Sequence, residues 1–168
     1  ILRADPVHYT FSPKYNEHIE NEMDRPMVKD QLYCVQMYIS MAKKSWFAVV
    51  AFGVYFSKRP IIFEDKGSVT KYKPQVENKT GNIMFVKNEW MIFSGIYKAK
   101  GGEQYFTIGN FKTIEETGML RLKSKLKEKI DYFSYYYIDQ VSVRPIKKID
   151  ECACTAESHT LDSTFVNN

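Results

Sequence analysis

Long apolar runs are missing from this chain. The longest apolar segment, Phe47 to Phe56, is interrupted by Gly53 and falls well short of the roughly 18 residues a membrane helix needs, so it reads as a strand and the chain is expected not to span a membrane. The opening Ile1-Leu2-Arg3-Ala4-Asp5-Pro6 has no initiator Met, no basic n-region and no long apolar core. It does not read as a signal peptide, and the numbering is expected to begin inside a larger or processed product. Histidine is scarce: His8, His18 and His159 sit in no metal-ligand spacing, and no Gly-x-Ser-x-Gly elbow occurs. Cys34 falls on a strand with no histidine near it in sequence. Acids such as Glu64-Asp65 and Glu115-Glu116 are adjacent, whereas glycosidase chemistry needs two carboxylates facing each other across a cleft. An enzyme is not expected.

Cysteine is sparse too. Three cysteines are an odd number and exclude a fully paired disulfide framework within the chain. Cys152 and Cys154 are too close in sequence for easy mutual bridging and lack the partners of a zinc site, so the cysteines read as free or externally paired thiols near a linker. Charge of one sign is likewise in short supply: 24 basic against 20 acidic residues leave +4. Arg121, Lys123, Lys125, Lys127 and Lys129 form one basic stretch, which reads as a solvated face or as a site for an anionic partner. Without a broad basic face interleaved with stacking aromatics, nucleic acid is not an expected partner.

What the chain has in quantity is aromatic and β-forming residues: 12 Tyr and 11 Phe in 168 residues, a composition suited to pleated, half-buried surfaces. The length fits one domain. Tyr33 to Met41 alternates, with Val35, Met37, Ile39 and Met41 on one face and Cys34, Gln36, Tyr38 and Ser40 on the other, so a half-buried strand is predicted. Ala48 to Ser57 reads as a second strand, antiparallel to the first. Ser57 to Ser68 is expected to be an exposed loop. Trp90 to Ala99 and Gln104 to Phe111 read as a hairpin closed by Gly101-Gly102, with Trp90 in the core.

Tyr135 to Val143 is a further strand, and the spacing of Ile138 and Val141 predicts a β-bulge near Asp139-Gln140. Met119 to Lys129 lacks β-branched residues and spaces Leu122 and Leu126 four apart, which favours a short helix over a strand. Residues 1–146 then form an all-β sandwich with Greek-key or jelly-roll connections and at most one short helix, and 147–168 a linker or tail.

The run from Asn88 to Phe111, with Trp90, Ser94-Gly95-x-Tyr97, Gly101-Gly102-Glu103 and Thr107-Ile108-Gly109-Asn110-Phe111, resembles a Bacteroidota envelope family. Tyr135 to Val143 is similar to that family's closing strand, and Tyr33 to Met41 to an earlier one. Together these cover about residues 15–154. The resemblance implies a galactose-binding-like, carbohydrate-binding jelly roll, found as the N-terminal module of OmpA-family proteins that grip peptidoglycan through a C-terminal module. Glu151-Cys152-Ala153-Cys154 resembles the junction that follows such a sandwich. The family's opening strand has no counterpart here, and no OmpA-like module follows Asn168.

The setting implied is the cell envelope, associated with the outer membrane on its periplasmic or exposed side. The function implied is non-catalytic carbohydrate binding; the alternative is a structural or docking subunit of an outer-membrane secretion or nutrient-uptake complex. Sugars are gripped by aromatic faces on their C–H side and by amides and carboxylates on their hydroxyls. On those grounds Trp46, Tyr38, Gln36, Tyr55 and Tyr97 are the candidate sugar-binding residues. Related jelly rolls hold a structural calcium through oxygen ligands. Asp139 matches the first acid of the family's acidic pair, although Gln140 stands in the second place; Asp139 would otherwise accept backbone hydrogen bonds at the bulge.

Overall fold

The computed structural model describes residues 2–4, 17–45, 47–61, 69–78, 82–113, 116–122 and 134–152. They form an all-β sandwich of two antiparallel four-stranded sheets. The first sheet has the order β1 (Leu2–Ala4), β10 (Ser134–Ile146), β3 (Leu32–Met41), β7 (Met91–Lys98). The second runs β2 (Ile19–Glu22), β8 (Tyr105–Gly109), β5 (Gly53–Ser57), β6 (Val76–Glu77). A small ribbon of β4 (Phe47–Val49) and β9 (Met119–Arg121) stands apart. Among the described residues there is no α-helix, only a 3-10 turn at Ile149–Glu151, and no helix is long and apolar enough to cross a membrane.

The alternation of β3 makes it the centre of the first sheet. Val35, Met37 and Ile39 are fully buried and Met41 nearly so, because each points into the space between the sheets. Aromatic pairs join the layers across that space: Phe52 meets Phe93 edge-on at 5.0 Å, and Phe56 stacks on Tyr97 at 5.2 Å. Tyr136 also points inward, donating to the Met84 carbonyl at 2.7 Å and accepting from the Val49 N–H at 2.8 Å. Burial pushes its hydroxyl pKa up to about 12, so it stays a neutral donor.

The predicted bulge is present. The register of β10 against β3 jumps from Asp139↔Tyr38 to Ser142↔Gln36, and Gln140 has φ 49. The jump lets Ile138 and Val143 both pack on the core, whereas Val141, whose spacing from Ile138 suggested the bulge, is 38% exposed.

Several expectations are corrected. Gly101-Gly102 does not close a hairpin, because β7 and β8 lie in different sheets. The doublet, with φ 96 and 88, carries the chain across the rim, where Ala99, Gly102, Glu103 and Gln104 bond to the backbones of Gln31, Met27 and Met23. Ala48 to Ser57 does not pair with β3. It breaks at Val50 to Phe52, so that β4 joins β9 while β5 joins β8 and β6. Met119–Arg121 is a strand rather than the start of a helix, since pairing with β4 outweighs local propensity; residues 123–129 lie outside the described residues. Trp90 is 51% exposed, because Met91 and Phe93 take the inward positions and alternation turns their neighbour outward.

Cysteine is the largest correction. Cys34 and Cys152 form a disulfide with Cα atoms 5.4 Å apart. Cys34 points away from the sandwich interior, where Ile146 and Cys152 bury it with help from Leu32 and Ile96. The 147–152 turn is held down by the Gln31 side chain on the Ile146 carbonyl at 2.6 Å and by Arg144 on the Glu151 carbonyl. Pairing partners this remote in sequence carry no local signal. Cys154 lies outside the described residues.

Candidate functional site

Registers across β7, β3 and β10 define the outer face of the first sheet row by row. Ile96, Cys34 and Arg144 form the row beneath the disulfide-bonded turn. Ser94, Gln36 and Ser142 come next, followed by Ile92, Tyr38 and Asp139. The last row pairs Ser40 with Tyr137, and Trp90 lies one residue before β7, beyond the end of its pairing with β3. Strands about 4.8 Å apart and same-face residues about 7 Å apart make the last three rows a patch of roughly 10 by 14 Å.

The chemistry along this patch is graded. Trp90 and Tyr137 are 51% and 49% exposed, while Ser40, paired with Tyr137, is small and buried. An exposed aromatic wall at Tyr137 therefore stands beside a low floor at Ser40. Tyr38 and Ile92 continue the apolar surface, and Gln36, Ser142 and Asp139 place an amide, a hydroxyl and a carboxylate beyond them. A concavity of about 670 Å³ opens beside Tyr137, lined by Ser40, Tyr135, Asn88 and the turn at Lys43-Lys44. That volume is within the roughly 300–1,000 Å³ of ligand pockets. Asn88 enters it from a left-handed turn with φ 68, a conformation asparagine tolerates.

A second hollow, between residues 50–53 on one side and Phe111, Lys112 and residues 116–118 on the other, has only about 190 Å³. Its polar groups are engaged: the Asn78 amide donates to the Val50 carbonyl at 2.9 Å, and the Thr117 hydroxyl donates to the Thr113 carbonyl at 2.7 Å while accepting from Asn110. It is too small and too self-satisfied to rival the first.

Of the sugar-binding candidates, Gln36 and Tyr38 sit at the centre of the outer face. Tyr55 is on the other sheet, half-buried, with its ring 5.1 Å from Tyr72 and 6.0 Å from Phe111. Tyr97 is 7% exposed; its ring is stacked on Phe56 and its hydroxyl donates to Glu103 at 2.6 Å, which leaves no ring face for a ligand. Trp46 lies outside the described residues. Sequence reasoning missed Tyr137, Trp90 and Asn88. Tyr137 could have been found from the same alternation and bulge that turn Tyr136 inward.

Asp139 faces outward beside Tyr38, and its Oδ1 accepts the Gln140 N–H at 2.7 Å. Among the described residues no group of three His, Cys, Asp or Glu side chains converges on it or elsewhere. Asp139 therefore brings one carboxylate there, with one oxygen already engaged in shaping the bulge. Set against known proteins, the chain matches no protein-family model, no curated protein and no solved structure.

Proposed function

We propose that this protein is a non-catalytic carbohydrate-binding module, with the outer face of the β7-β3-β10 layer as its recognition surface. The observation that carries the proposal is the grouping of Tyr38 and Tyr137 with Gln36, Ser142 and Asp139 on one face, beside a concavity of ligand size, with Trp90 exposed just before β7. Aromatic faces cover the C–H side of a sugar ring, and amide, hydroxyl and carboxylate groups exchange water's hydrogen bonds for those of the sugar hydroxyls. In the three rows of that patch Asp139 is the one carboxylate, with no second acid across from it, which fits binding rather than hydrolysis.

An envelope or secreted setting accords with a disulfide buried in the fold, since such bonds persist in oxidising compartments. We extend the proposal to a module of an outer-membrane-associated protein on the resemblance of residues 88–111 to the Bacteroidota family.

A glycan array probed with the purified chain and with Tyr38→Ala tests the proposal. Wild type is expected to bind a restricted set of glycans, and Tyr38→Ala to weaken that binding roughly tenfold, the loss of one aromatic contact of about 1–1.5 kcal/mol. Absence of binding to every glycan, with both chains folded, would overturn the proposal in favour of a docking subunit that covers Trp90 and Tyr137 with protein.

A further inference from the structure

We infer that the saccharide held by this face is acidic, carrying a carboxylate or sulfate group, and that Lys43 and Lys44 bind that group; the inference rests on the carbohydrate-binding proposal above. Both lysines are exposed, and both line the concavity that Tyr135, Tyr137 and Asn88 share. Neither has an ion-pair partner among the described residues, where the salt bridges are Lys98–Asp30 and Lys112–Glu77. Two unopposed ammonium groups standing at the mouth of an aromatic-walled hollow offer little to a neutral sugar. To a ring bearing one anionic group they offer a charge-assisted contact at the end of the aromatic platform.

The turn that presents them is fixed from several sides. Ser45 N–H closes it on the Ala42 carbonyl at 3.0 Å. The Ser45 hydroxyl donates to the Tyr135 carbonyl at 3.0 Å and accepts the Tyr135 N–H at 2.9 Å, locking the turn to β10. From the other side the Lys87 ammonium donates to the carbonyls of Lys43 and Ser45 at 3.1 and 3.0 Å. Lys43 and Lys44 therefore project from a preorganised turn, which reduces the ordering entropy a ligand must overcome. Behind them Lys87 adds a third positive charge, and burial holds its ammonium below the ordinary lysine range without providing an acidic partner. Lysine suits the task, since a compact ammonium serves as a point charge for a single anionic group and needs no bidentate fit.

Affinity electrophoresis of the whole chain tests this, with gels containing polygalacturonate, its methyl ester, dextran sulfate or dextran, so that charge is varied on a constant backbone. The charged member of at least one pair is expected to retard wild type, the carboxylate or sulfate pair identifying the source of the anion. Lys43→Gln/Lys44→Gln should weaken that retardation roughly tenfold or more. Rising salt should weaken it as well. Tyr137→Ala should weaken it too, whereas Lys147→Gln/Lys148→Gln, the same change of charge on the turn at the opposite end of the sheet from the hollow, should leave it unchanged.

Equal retardation by charged and neutral partners, or equal losses from the two lysine pairs, would overturn the acidic assignment while leaving the carbohydrate-binding proposal in place. So would an array profile confined to neutral glycans. No retardation in any gel together with a blank glycan array would overturn both. The substituted lysines are exposed, and unchanged thermal unfolding of each variant would confirm that loss of binding is not loss of fold.

Discussion

Replacing Cys34 and Cys152 together with alanine is expected to lower the unfolding free energy by about 4–5 kcal/mol, the loop-closure contribution of a cross-link between residues this far apart. The bond joins positions separated by 118 residues, so it constrains most of the unfolded chain. In a domain of this size the change corresponds to a fall in Tm of roughly 10–15 °C. Changing both cysteines leaves neither partner behind as a stranded thiol, and alanine keeps the pocket between Ile146, Leu32 and Ile96 apolar. Guanidinium unfolding of the two proteins measures the difference. A loss below about 1 kcal/mol would contradict the loop-closure account of the bond. Glycan binding by the folded variant should persist, because the disulfide seals the row next to Ser94, Gln36 and Ser142 and touches none of the aromatic rows.

A second large loss is expected at the rim between the sheets. Glu103 is 4% exposed, and its carboxylate accepts the Tyr97 hydroxyl at 2.6 Å and the N–H groups of Lys100 and Gly101 at 2.9 and 2.8 Å. Glu103→Ala strands all of these donors, and at about 1–1.5 kcal/mol for each lost bond the cost is about 3–4 kcal/mol. Tyr97→Phe removes one bond and should cost about 1–1.5 kcal/mol, so the two variants separate the cradle from the ring's packing on Phe56.

The same cradle predicts a pH dependence. Burial raises the Glu103 pKa, but the hydrogen bonds from Tyr97 and from the backbone outweigh it and leave the carboxyl below its ordinary value of 4.5. Burial, reinforced by Glu103, pushes the Tyr97 hydroxyl up to about 12, which keeps it a donor. Because the folded state favours the carboxylate, Glu103 contributes its full stabilisation above about pH 4.5 and loses it as pH falls through the lowered value. Glu103→Gln should flatten stability against pH in that window, and an unaltered slope would assign the acid sensitivity to other carboxyls.

Alternation made β3 and the closing strand legible in the sequence, down to the bulge, because a two-residue period fixes each side chain to one face regardless of what lies opposite. The same period placed Gln36 and Tyr38 together on an outer face. Sheet membership was not legible. A glycine doublet serves a hairpin and a rim crossing equally well, and the choice here is made by Met27 and Gln31, which hold the 99–104 segment from far away in sequence. Trp90, expected in the core, was misplaced: its position next to the inward-facing Met91 turns it to solvent. Tyr97 shows the reverse, a residue whose aromatic face suggested a sugar but is stacked on Phe56, with its hydroxyl taken by Glu103.

The recognition face itself is tested most directly by NMR chemical-shift mapping during titration with the tightest glycan from the array. Perturbations should centre on the Trp90 indole, the side-chain amides of Gln36 and Asn88, and the backbone of Tyr38 and Tyr137. Shifts grouped instead around Tyr55, Tyr72 and Phe111 on the opposite sheet, with the β7-β3-β10 face silent, would contradict the account.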